Sequence, residues 1–483
     1  MSNRTHPSPL SLRTPGVDSP PGRRRKWAIA GSLVAAVGLW GCGDTPTDPG
    51  APELARVDRG LVDDVRRLAA ATGLEALNAP RRVRPKLAKL GQALVFDPEL
   101  SGNRDISCMT CHWPSFGTSD GRSLPAGEGA TGLGPDRVHP DGVFIPRNAP
   151  PTFNLHAQSA QFWDGRVAVD AAGRFHTPAG NKVTPEMTRV FEFGSISAQG
   201  LFPVTSRAEM RGNSGNELAA IPDTDEPAMW RAIMARLGAI SEYRRLFEQA
   251  YPGTDFEDMN FGHASNAMAG FYLDAFTFVN TPWDEFLRGR DAAMTPDQLD
   301  GARAFMAVGC AECHSGAALT DVEFHNTAMP QIGPGKGDGT GGQDDFGRMR
   351  VTGDPADIYR FRTPPLRNVE LTGPFGHGGP IPDLRDFIAH YSESDVKLRN
   401  YDPSVLEPAL QGTVLNNADQ VLANRDPILD GLVISEADID RIRAFMSALT
   451  DPATRNLERA IPQRVPSGLP VSEGRPGNGR GNR

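Results

Sequence analysis

The sequence predicts a mainly α-helical protein built as two similar halves, with long irregular loops and little β structure. Three observations predict this. Apolar residues recur at helical spacing in several separate stretches. The 483 residues include 52 Gly and 42 Pro, which favours short helices joined by turn-rich loops over regular sheet. The pattern C-x-x-C-H occurs twice, at Cys108-Met109-Thr110-Cys111-His112 and Cys310-Ala311-Glu312-Cys313-His314, each time after a helical stretch.

Residues 1–42 read as leader and lipoprotein signal peptide. Arg23-Arg24-Arg25-Lys26 forms a basic region, and the uncharged apolar run Trp27 to Trp40 is too short to span a bilayer. Leu39-Trp40-Gly41-Cys42 resembles a bacterial lipobox, so Cys42 is expected to carry lipid and the chain to be periplasmic, anchored to a bacterial membrane. A Pro-rich tether, 43–52, follows.

Leu54 to Leu74 is expected to form an amphipathic helix through Leu61, Val65 and Leu68. Lys86 to Phe96 forms a second helix, stopped by Pro98 and Gly102 just before the first pentapeptide. Trp113 to Pro151 is a long Gly-, Pro- and Asp-rich loop, and 164–198 reads as an inserted loop. Ala228 to Ala250 and Ala264 to Arg288 are helical, the latter carrying Met268, Phe271, Tyr272 and Phe276. Thr295 caps a helix with Pro296 at its first position, and this helix runs into the second pentapeptide. Residues 333–347 form a Gly-rich flexible loop without the Gly-Lys-Ser/Thr of a P-loop. Ser435 caps a last helix to Leu449, and 453–483 is expected to be a disordered tail.

C-x-x-C-H is the attachment spacing of c-type haem: both thiols bond the vinyl groups and the adjacent His ligates iron. A redox dithiol would need a βαβ context, and half a zinc site would not explain a His directly after both pairs. Of five cysteines, four lie in these motifs and the fifth is Cys42, so none remains for a disulfide or a catalytic thiol. Two covalently bound haems are therefore expected, on Cys108, Cys111 and His112 and on Cys310, Cys313 and His314. The repeated helix-then-haem layout divides the chain into cytochrome c-like domains at 53–290 and 291–452. A net charge of −9 argues against nucleic acid as a partner.

Further stretches carry a resemblance: Leu94-Val95-Phe96-Asp97-Pro98, Arg147-Asn148-Ala149-Pro150, Phe162-Trp163-Asp164-Gly165-Arg166, and Pro364-Pro365-Leu366-Arg367-Asn368 continuing to Gly376-His377. Over roughly residues 80–450 the chain resembles the bacterial di-haem cytochrome c peroxidases and their MauG-type relatives. The resemblance implies peroxide reduction at the N-terminal haem, assisted by a Glu in a Gln-x3-Pro-x5-Glu-Met pattern. Gln199, Pro203 and Glu209 keep that spacing, whereas Glu186 lacks the Gln and Pro. It also implies that Trp163 relays electrons between the haems, and that Asn148, with the carbonyls of Thr372 and Pro374, holds a calcium ion.

The sixth ligand of the second haem separates the subfamilies. Where the peroxidases place Met, fourteen residues after His377, this chain has Tyr391. The resemblance then implies MauG-type behaviour, in which a high-valent state shared by both haems oxidises a protein partner; a Met elsewhere, such as Met349, is the alternative ligand. His139 lies near the position of a gating His in some family members. Electrons would come from a small redox protein or from a protein substrate. The competing reading is a non-catalytic di-haem electron-transfer cytochrome.

Overall fold

The computed structural model describes residues 58–471. The expected signal peptide, Cys42, the tether and residues 472–483 lie outside them. The described elements are mostly short helices, with two small antiparallel sheets.

Two hydrophobic cores organise these elements. In the first, helix Pro85–Phe96 crosses helix Phe261–Ala275, with Leu87, Leu90, Leu94 and Phe96 fully buried. The crossing is so close that a Cβ at Gly91 would collide with the carbonyl of Ala267. The second core repeats the arrangement: helix Pro296–Ala307 crosses helix Glu436–Ala448, and a Cβ at Gly301 would collide with the carbonyl of Arg441. Each half thus sets its haem motif at the end of a helix held tightly through one glycine. Thr295 and Ser435 cap their helices as expected, accepting from the backbone N–H of Gln298 and Asp438.

Three expectations need correction. The first helix, Arg59–Ala71, was expected in the N-terminal domain, but its buried Val62, Val65 and Ala69 pack in the second core against helix Pro296–Ala307. Its apolar stripe specified a buried face without specifying which core would receive it.

The stretch 164–198 is folded structure. Ala160–Gln161, Val167–Val169 and Phe175–His176 form a three-stranded antiparallel sheet, with Ala160 opposite Ala168 and Ala168 opposite His176. Val167, Val183, Met187 and Ile196 from this stretch join the first core. Strands of two and three residues are too short to show an alternating pattern.

The expected disordered tail is ordered as far as residue 471. Pro452–Ala460 forms 3-10 turns, and Leu457, Ala460 and Val465 pack into the first core. Ser467 donates to Asp97 at 2.6 Å and Gln92 donates to the Ala460 carbonyl at 2.9 Å, so the segment straps back across the N-terminal half. Three well-separated apolar anchors outweigh its polar composition.

Candidate active site

Each C-x-x-C-H motif stands in the wall of a large cavity. The first cavity encloses about 1320 Å³, mouth included, and is lined by Cys108, Cys111, His112, Trp163, Gln199, Glu209 and Lys336 among others. The second encloses about 1850 Å³ and is lined by Cys310, Cys313, His314, Trp163, His377 and Tyr391 among others.

The two histidines are held by one repeated device. His112 Nδ1 donates to the carbonyl of Thr118 at 3.2 Å, and His314 Nδ1 donates to the carbonyl of Leu319 at 3.1 Å. A carbonyl only accepts, so each ring carries its proton on Nδ1 and keeps the Nε2 lone pair for iron. Thr118 and Leu319 both adopt left-handed backbone, φ 60° and 55°. That conformation costs about 1–2 kcal/mol for a residue with a side chain, and here it turns each carbonyl onto its histidine. Burial pulls both imidazoles down, His314 to about 4, so both rings are neutral.

The other readings of the cysteines fare poorly. Burial pushes the thiols of Cys108 and Cys310 up to about 12, the reverse of a redox-active dithiol. Among the described residues the one metal-type cluster is Cys313, Asp321 and His325, which includes neither motif histidine. Paired cysteines, a neutral histidine anchored through Nδ1 and a largely apolar cavity fit covalently attached haem in both halves.

Trp163 lies between the two sites, in the wall of both cavities, and donates its indole N–H to the carbonyl of Asn148 at 2.9 Å. The two sequence stretches that contain these residues meet a second time. Arg147 pairs with Asp164 at 2.6 Å and with Asp345, from the C-terminal half, at 2.6 Å. Burial pushes both carboxyls up, but the arginines overcome it: Arg166 and Arg147 hold Asp164 far below the usual carboxylate range, and Arg147 lowers Asp345.

Glu209 sits in a single turn of π-helix, Arg207–Arg211, and Gln199 ends the helix Ser195–Gln199. Both line the first cavity, and among the described residues neither side chain has a hydrogen-bond partner. Burial raises the Glu209 carboxyl above its ordinary value, against the lowering pull of Arg166, Lys336 and Arg147. Glu186, by contrast, is exposed and paired with Arg189 at 2.7 Å. His139 is not among the cavity-lining residues; its Nδ1 accepts the Asp141 N–H at 3.1 Å.

Tyr391, on helix Leu384–Ser392, lines the second cavity, as do Met329 and Met446; Met349 does not. Asn148, Thr372 and Pro374 also come together in that wall. His377 stacks on Phe361 with ring centres 3.6 Å apart, and its carbonyl accepts the Asn148 N–H at 2.8 Å.

Sequence reasoning missed several lining residues. Lys336 reaches the first cavity from the Gly-rich loop of the C-terminal half. His325 stands in the second cavity wall between Asp321 at 3.0 Å and Asp426 at 2.8 Å. Asp321 first, with Cys313 and Asp426, pushes it up to about 11, so it is charged there. Arg362 lines both cavities. None of the three lies in a pattern that spacing alone could reveal.

A helical chain with two covalent haem sites facing a shared tryptophan defines a di-haem c-type cytochrome. A family model described as di-haem cytochrome c peroxidase matches residues 85–292. The chain is 30% identical over 319 residues to the methylamine utilization protein MauG of Methylorubrum extorquens, spanning 65% of this chain and 70% of that protein. It is 29% identical over 301 residues to cytochrome c551 peroxidase of Pseudomonas aeruginosa, spanning 62% of this chain and 70% of that protein. A crystal structure of a MauG-like protein associated with microbial copper homeostasis shares the fold, with a TM-score of 0.55 and 23% identity over 78% of this chain and 95% of the other. The chain belongs to the di-haem cytochrome c peroxidase and MauG family. It is an oxidoreductase with two haem c groups.

Proposed function

We propose that this enzyme reduces hydrogen peroxide at the haem of His112 and draws the electrons, through Trp163, from the haem of His314. The observation that carries this reading is that Glu209 and Gln199, at the family spacing, both line the first cavity without a hydrogen-bond partner among the described residues. The bound haem supplies the iron at which peroxide is reduced. Glu209 takes a proton from the near peroxide oxygen and delivers it to the far one, so that two electrons and two further protons yield two waters. Gln199 orients the substrate by its amide. Trp163, fixed by Asn148, offers a π-system between the haems.

Tyr391 favours the MauG-type variant of this function. Tyr391 would hold the second iron through its phenolate oxygen and would stabilise the more oxidised states, where a thioether would favour ferrous iron. The oxidising equivalents then pass to residues of a protein partner, and a small redox protein is the alternative donor. Mixing the purified protein with peroxide alone separates the two. A long-lived species oxidised at both haems supports the protein-oxidising variant, and turnover only with reduced cytochrome c supports the electron-fed peroxidase.

Calcium fits the wall between the haems. Asn148 spends its amide N–H groups on the carbonyls of Arg122 at 2.8 Å and Ser123 at 3.3 Å, leaving Oδ1 for a cation. Among the described residues no backbone N–H donates to the carbonyls of Thr372 or Pro374. Oxygen donors of this kind suit a hard cation. No helix among the described residues is long and apolar enough to cross a membrane. The basic and apolar leader ending at Cys42 supports a periplasmic enzyme held to a bacterial membrane by lipid.

A further inference from the structure

Arg362 is a buried arginine, 5% exposed, in the wall common to both cavities. It sits on the short strand Phe361–Arg362, and its backbone N–H donates to the Trp163 carbonyl at 2.8 Å. Its Nε donates to the Phe162 carbonyl at 3.3 Å and one Nη to the Thr363 carbonyl at 3.3 Å. These partners are neutral. Four further buried arginines have carboxylates: Arg147 has Asp164 and Asp345, Arg367 has Asp284, Arg236 has Glu217, and Arg122 has Glu407. Burial alone draws Arg362 down to about 10, with no carboxylate acting against it. A guanidinium removed from water without a counter-ion is costly. The cavity it faces is therefore built to receive an anion.

Each haem brings two propionate carboxylates, and an arginine fork matches a carboxylate in shape and charge. We propose that Arg362 is the cofactor-binding residue that pairs with a haem propionate where the two haems face each other across Trp163, and that its charge holds up the potential of that haem. The proposal rests on the two-haem reading. A positive charge beside a haem favours the reduced iron, which carries one positive charge fewer. Because the peptide N–H of Arg362 holds the carbonyl of Trp163, the same residue fixes the propionate edge relative to the indole.

The test uses the holoenzyme, whose thioether-bound haems stay attached when a propionate contact is lost. Haem content by the pyridine method, two per wild-type chain, checks the two-haem reading independently of Arg362. Spectroelectrochemical titration of Arg362→Met then shows one midpoint lowered by about tenfold in the reduction equilibrium, or 59 mV for a one-electron couple. Arg362→Lys keeps the charge and recovers most of the shift. Full haem content with both midpoints unchanged in Arg362→Met overturns the proposal, as does Arg362→Lys behaving like Arg362→Met. A crystal structure of the wild-type holoenzyme decides it without any variant. A propionate oxygen within about 4 Å of the guanidinium supports the proposal, and its absence there refutes it.

Discussion

The indole N–H of Trp163 donates to the backbone carbonyl of Asn148 at 2.9 Å, and both residues stand in the wall shared by the two haem cavities. One hydrogen bond thus fixes the only large π-system among the residues lining both cavities. Replacing Trp163 by Phe keeps an apolar ring and loses both the donor and the longer π-system. Steady-state turnover is expected to fall, while the bimolecular reaction of the first haem with peroxide, followed by stopped-flow absorbance, keeps its rate constant. A parallel loss in both would mean that Trp163 serves only the packing.

Glu209→Gln removes the proton carrier while preserving size. Haem content and the ferric spectrum are expected to stay unchanged, with the peroxide reaction slowed by about 10² to 10⁴. Unaltered kinetics would show that another group moves the proton.

The same carboxyl sets a pH dependence. Glu209 must be ionised to accept the peroxide proton, and burial raises its pKa. Activity is therefore expected to rise with pH, through a midpoint above the roughly 4.3 of an ordinary glutamate. This acidic limb is absent from the residual activity of Glu209→Gln. A limb that survives in the variant belongs to a different group.

The two glycine crossings predict a matched loss of stability. Gly91→Ala and Gly301→Ala each push a methyl into a facing helix carbonyl, Ala267 and Arg441 respectively. Each is expected to cost about 1–3 kcal/mol, seen as a lower thermal midpoint. Because these helices lead into the haem motifs, each variant weakens its own half first.

Much of this was legible in the sequence because the informative signals are local. The C-x-x-C-H repeats, the Thr295 and Ser435 caps and the Gln199–Pro203–Glu209 spacing each lie within a few residues. Glu209, preferred to Glu186 by spacing, lines the first cavity, whereas Glu186 is exposed. What was illegible depends on long-range packing. Helix Arg59–Ala71 joins a core formed some 230 residues later, and the Leu457–Val465 strap returns to the first half. Arg362 and Lys336 gain meaning only when the C-terminal half folds against the first cavity. Of the two carboxylates that flank His325, Asp321 is local but Asp426 comes from a hundred residues away.

On the proposed function, two motifs alike in sequence would hold unlike irons: the first open to peroxide near Glu209, the second ligated by Tyr391. Electron paramagnetic resonance of the ferric protein as purified tests it most directly. The account predicts one high-spin haem, which disappears on adding peroxide, beside one low-spin six-coordinate haem whose signal changes in Tyr391→Met. Two low-spin haems, neither of which reacts with peroxide, would contradict it.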